Sequence, residues 1–170
     1  MEVGKEDDAV ADEGMKEQAI VYFRQAYQLQ MQGDLENALL YYTKSIDLYP
    51  TAEACTFRGW TYSFMGKIDE AIAECRKAIE TDPTFGNPYN DIGAYLIQKG
   101  QLDEAVPWLN KALAAERYES YCFPHMNLAR IWEKKGRWRE AMEEYTKAVE
   151  ANPEYTSALK ALRRLQAMMN

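Results

Sequence analysis

A short signature occurs four times along the chain: GDLENA from Gly33, GKIDEA from Gly66, GQLDEA from Gly100 and GRWREA from Gly136. The glycines stand 33, 34 and 36 residues apart, and the closing alanines Ala38, Ala71, Ala105 and Ala141 keep the same spacings. Whole units therefore repeat, not isolated words. A unit of this length cannot bury its own apolar face, so a period of this size implies supersecondary elements stacked on one another.

Each unit carries an apolar-periodic stretch before its glycine and another after it, with apolar positions recurring every three and four residues, the period of a helix. The unit is a helical hairpin. Its glycine ends the first helix, where a left-handed backbone costs it little, and Asp34, Asp69 and Asp103 suit the start of the second, near the positive end of the helix dipole. The second helices should stop near Pro50, Pro83 and Pro153, because proline lacks the N–H that would continue the ladder.

Fixed positions within the units are filled in a consistent way. First helices offer Cys55, Arg58, Gly59 and Tyr62; Tyr89, Ile92, Gly93 and Leu96; His125, Leu128, Ala129 and Trp132; and, more loosely, Tyr22, Gln25, Ala26 and Leu29. Second helices pair a small residue with a larger one at Ala38/Tyr42, Ala71/Cys75, Ala105/Leu109 and Ala141/Tyr145, followed by Ser45, Ala78, Ala112 and Ala148. Small side chains let antiparallel helices approach closely while larger neighbours fill the gaps, so these positions specify packing. The pattern resembles the tetratricopeptide repeat.

That resemblance implies an all-α, right-handed superhelical solenoid of four hairpins, at 15–51, 52–85, 86–119 and 120–155, closed by a capping helix over 156–170. In the last segment Ala158, Leu162, Leu165 and Met169 form one helical stripe, with Lys160, Arg163 and Arg164 off it. The pattern breaks between the third and fourth units. Arg117 stands where proline is expected and two residues are added, giving a variant loop over 116–125. This loop reads either as a tolerated variation or as an aromatic contact site of Tyr118, Tyr121 and Phe123. Pro107, early in a helix, is expected to cost little there.

Charge and cysteine usage narrow the setting. Net charge is −7, and Glu2, Glu6, Asp7, Asp8, Asp12 and Glu13 against Lys5 place −5 of it before residue 15. An acidic protein repels nucleic-acid phosphates, so no nucleic acid is expected as a partner. Residues 1–14 read as an acidic disordered tail, or alternatively as a tail that covers the protein's own groove. No secretory leader is visible in this acidic start, and no apolar run approaches the roughly 20 residues of a membrane helix. Cys55, Cys75 and Cys122 form no CxxC pair, which suits reduced thiols and a cytoplasmic location.

Nothing points to catalysis, metal or cofactor. The single histidine, His125, occupies a packing position of its repeat. The three cysteines and His125 lie too scattered for a four-ligand metal site, and no glycine-rich phosphate loop is present.

The resemblance also implies that first helices line a concave groove that binds extended or helical peptides. One step round from the packing stripe, that groove is expected to present Phe23, Tyr27 and Gln30; Thr56, Trp60 and Phe64; Asn87, Asn90 and Ile97; and Met126, Arg130 and Lys134. Its first half is aromatic and its last half charged. The aromatic half is expected to anchor an apolar or aromatic segment of a partner protein, unless those rings pack between neighbouring units instead. Some family members hold a chaperone's terminal carboxylate with Lys, Asn and Arg; here Phe23, Tyr27, Phe57, Asn87 and Asp91 stand in the corresponding places, so that ligand is not expected. The expected role is that of an adaptor or assembly scaffold, with a secretion or assembly chaperone and a self-association module as the alternatives.

Overall fold

A computed structural model describes the backbone of residues 3–169 and the side chains of residues 12–169. Among the described residues there are nine helices: α1 (Val3–Met31), α2 (Leu35–Leu48), α3 (Ala52–Phe64), α4 (Ile68–Thr81), α5 (Asn87–Gln98), α6 (Leu102–Ala114), α7 (Cys122–Lys134), α8 (Trp138–Ala151) and α9 (Thr156–Met169). The all-α expectation of four hairpins and a closing helix holds. The helices divide into two compact units, Met1–Asp82 with α1 to α4 and Pro83–Asn170 with α5 to α9.

The four signature glycines have φ of +82°, +77°, +79° and +70°, a region that side chains rarely adopt. At the first of them the Asp34 N–H donates to the Leu29 carbonyl at 2.9 Å and the Gly33 N–H to that of Gln30 at 3.0 Å. This pairing satisfies the last carbonyls of α1 and reverses the chain. Asp34 then caps α2, its carboxylate accepting from the Asn37 N–H. Helices α2, α4 and α8 each end two residues before Pro50, Pro83 and Pro153.

Ala38, Ala71, Ala105 and Ala141 are fully buried where the hairpins close. In the first unit Ala26, Ala38 and Tyr42 form a core with Phe23, Leu29 and Phe57 against it. In the second, Met126, Ala129, Ala141, Tyr145 and Ala148 join Ala158, Leu162 and Leu165 of α9, which is how the closing helix covers the last hairpin. Met169, expected on the same stripe, is exposed.

Two expectations need correction. The first concerns the tail, since α1 begins at Val3 and runs through Gly14 instead of starting after it. Met1, Glu2 and the side chains before residue 12 lie outside the described residues. Acidic residues are favoured in the first turns of a helix, and extending a formed helix is far easier than nucleating one. Residues 12–18 are exposed, and the Ser45 hydroxyl near the end of α2 donates to the Ala19 carbonyl at 2.8 Å. The earlier turns of α1 thus extend past their hairpin partner.

The second concerns Pro107, which lies beyond the first turn of α6: the Ala105 N–H already donates to the Gln101 carbonyl. Proline there deprives the Asp103 carbonyl of its helical donor. The variant loop carries an ordered bridge between Phe85 and Arg117. The Arg117 N–H donates to the Thr84 carbonyl at 3.0 Å, the Gly86 N–H returns a bond to the Arg117 carbonyl at 3.1 Å, and Tyr118 is buried.

Candidate functional site

In the first unit α1 and α3 lie side by side and share an aromatic cluster. Its centre is Phe57, with ring centroids 5.2 Å from Phe23, 5.7 Å from Tyr27, 6.3 Å from Tyr42 and 4.4 Å from Trp60. Phe57 belongs to the face that α3 turns toward α1, and it was absent from the expected groove. Its spacing of three from Trp60 was the available signal. Phe23 and Trp60 are half-buried by these contacts, while Tyr27 is 43% and Phe64 64% exposed. The rings therefore do both things expected of them: some join the two hairpins, and some remain at the surface.

Upstream on the same face Ile20, Phe23 and Glu53 come together with Lys16, Tyr49 and Thr51 around an apolar depression of about 210 Å³. Gln30 and Thr56 do not reach this surface. Gln30 is buried, accepting from the Tyr42 hydroxyl at 2.7 Å and the Thr61 hydroxyl at 3.3 Å, and Thr56 is buried with its hydroxyl on the Ala52 carbonyl at 2.7 Å. Both polar groups satisfy the interior, where an unpartnered group would be destabilising.

The second unit differs in chemistry. Asn90 is buried on α5, its carbonyl accepting from the Asn127 amide of α7 at 3.1 Å, so it ties two helices together instead of facing a ligand. Asn87 lines a shallow polar depression with Phe85, Arg117 and Tyr118. Ile97 is half-buried. Met126 is buried in the core yet floors a depression that Arg130 and Lys134 also line, both exposed.

Two enclosed carboxylates elsewhere, Glu74 and Glu144, are paired within the fold. Arg58 donates to Glu74 through Nε at 2.8 Å and to the Thr43 hydroxyl at 3.1 Å, and Lys77 donates to the other Glu74 oxygen at 2.8 Å. His125 Nδ1 lies 2.7 Å from Glu144, which also accepts from Lys147 at 2.6 Å. Burial works to raise the Glu144 carboxyl, but these two bonds outweigh it and hold the group below the usual carboxylate range. The three cysteines are buried and in no disulfide, and burial first, then Glu74, pushes the Cys55 thiol up. Among the described residues no group of three His, Cys, Asp or Glu side chains could hold a metal ion, and no helix is long and apolar enough to cross a membrane.

Comparison with known proteins agrees with this geometry. Profiles described as tetratricopeptide repeat match residues 20–52, 52–85, 74–106 and 122–155. Sperm-associated antigen 1 of Mus musculus is 37% identical over 84 residues, 49% of this chain and 9% of that protein. Photosystem I assembly protein Ycf3 of Prochlorococcus marinus is 31% identical over 57% of this chain and 62% of its own length. The chain thus spans less than two thirds of either relative. Among solved structures, pilF of Pseudomonas aeruginosa superposes with a TM-score of 0.85 at 20% identity, over 92% of this chain and 71% of that one. YrrB, described as a TPR protein with an unusual peptide-binding site, gives a TM-score of 0.66 at 24% identity, over 89% of this chain and 77% of that one. At such identities these two likenesses establish the fold alone.

Proposed function

Because this chain belongs to the tetratricopeptide-repeat family, we propose that it is a non-enzymatic interaction module whose α1–α3 face holds an apolar or aromatic segment of a partner protein. The observation that carries this reading is the exposure of Tyr27 and Phe64 beside the half-buried Phe57–Trp60 pair. Rings fixed on helices lose little entropy on binding and supply large apolar area, which is why aromatic residues dominate interface energetics. The apolar depression at Ile20 and Phe23 extends the same face and would take a further side chain of the segment. Three buried thiols outside any disulfide support a reducing, cytoplasmic setting.

The likeness to a photosystem I assembly protein favours a second reading on the same face, in which the held segment belongs to a client awaiting assembly. One experiment tests the shared premise. Peptides selected from a displayed random library against the full chain should be rich in apolar and aromatic residues, and Trp60→Ala with Tyr27→Ala should weaken them by roughly tenfold or more. Unchanged affinity in a variant that is still folded overturns the proposal.

A further inference from the structure

A surface in the unit from Pro83 onward has a different character and stands independently of the aromatic face. Helices α7, α8 and α9 enclose a depression of about 530 Å³. Its floor is apolar, made by buried Met126 and by Trp138, which remains 42% exposed. Its rim is cationic, with Arg130 and Lys134 from α7 and Arg164 from α9.

The one carboxylate there is already engaged. Glu133 accepts from Arg164 at 2.6 Å and from the Tyr145 hydroxyl at 2.8 Å. Arg130 and Lys134 are exposed, and neither makes a hydrogen bond or ion pair among the described residues. Three cations against the single carboxylate of Glu133, which Arg164 already engages and Arg130 also holds down, leave the rim above this apolar floor net positive and suited to an anionic ligand that also carries apolar groups.

The first turns of α1 have that chemistry. Six acidic residues and one lysine lie before residue 15, interspersed with Val3, Ala9, Val10 and Ala11. Residues 12–18 are exposed, and this part of α1 extends beyond α2. We infer that the acidic start of α1 from a second copy of this chain docks on the Arg130–Lys134–Arg164 surface. The contact is heterologous, since different patches meet, so copies associate into head-to-tail rings or chains whose population rises with concentration.

Light scattering on the full chain tests this. At an ionic strength of about 0.01 M, where the Debye length is about 30 Å, the average mass should rise with concentration; at about 1 M, where it is about 3 Å, the mass should fall to that of one chain. Arg130→Glu with Lys134→Glu, both at exposed positions, should weaken association by roughly tenfold, as should Glu6→Lys with Asp7→Lys and Asp8→Lys. Mixing the two variants should restore association, because the basic start of one meets the acidic surface of the other while the unaltered acidic start and the unaltered basic surface meet as before, giving assemblies in which the two variants alternate. A wild-type chain that stays single at every concentration overturns the inference, as does association that survives both reversals. Binding of a synthetic 1–14 peptide only after deletion of residues 1–14, in a chain that is otherwise single, would mean that the segment covers the surface of its own chain, and also overturns it.

Discussion

The Arg117 N–H donates to the Thr84 carbonyl at 3.0 Å, at the one repeat boundary where proline is missing. Proline at this position could not make that bond, so the departure from the repeat pattern is what allows the Phe85–Arg117 bridge to form. Arg117→Pro should therefore destabilise the protein by about 1–3 kcal/mol in denaturant unfolding, as expected when a backbone partner is left unsatisfied. Arg117→Ala removes the guanidinium 5.2 Å from the Phe85 ring but keeps the N–H, so the bond to the Thr84 carbonyl and the bridge should survive it.

Glu74 is a buried carboxylate held by Arg58 and Lys77. Arg58→Met would leave it with one flexible partner, and a loss of about 3 kcal/mol is expected in thermal or denaturant unfolding. Replacing both partners, with Arg58→Met and Glu74→Leu, should recover most of it. A double variant no more stable than the single one would show that the Thr43 contact, not the charge pairing, matters most.

Two glycines should fail for different reasons. A Cβ on Gly93 would lie 2.5 Å from Cδ2 of buried Leu109, so Gly93→Ala should cost about 1–3 kcal/mol through overpacking. Gly33 has open space around it but a φ of +82°, so Gly33→Ala should cost about 1–2 kcal/mol through the backbone alone. Leu109→Ala, which is itself destabilising, should reduce the further effect of the first substitution and leave that of the second unchanged, a difference that a double-mutant cycle reads directly.

Acid should weaken the second unit through Glu133 and Glu144. Burial acts to raise both carboxyls, but the bonds from Arg164 and Tyr145 to Glu133, and from His125 and Lys147 to Glu144, hold both below their ordinary value. In the unfolded chain they titrate near about 4.3. A lowered folded value means that the stability they supply is complete above that pH and is lost as the pH falls through the folded values. Denaturation midpoints should therefore decline on acidification below about pH 4, and Glu144→Gln should shrink that decline while lowering the midpoint at neutral pH.

The sequence by itself determined the hairpin architecture, because its signals are local. A glycine that must take positive φ, an alanine where two helices touch and a proline two residues past a helix end each act within a few residues of where they are read. Gly33, Gly66, Gly100 and Gly136, with the four buried alanines, fell where the repeat put them. The surface was less legible. Helical periodicity gives the direction of a side chain, not what stands opposite it. Gln30 is enclosed by Tyr42 and Thr61, Asn90 is tied to Asn127, Thr56 turns back to the Ala52 carbonyl of its own helix, and Phe57 became the hub of a cluster only because α1, α2 and α3 bring four other rings around it. Arg164 joined the α7 surface for the same reason: it reaches Glu133 from 31 residues further along the chain, a pairing that only the packing of α9 creates.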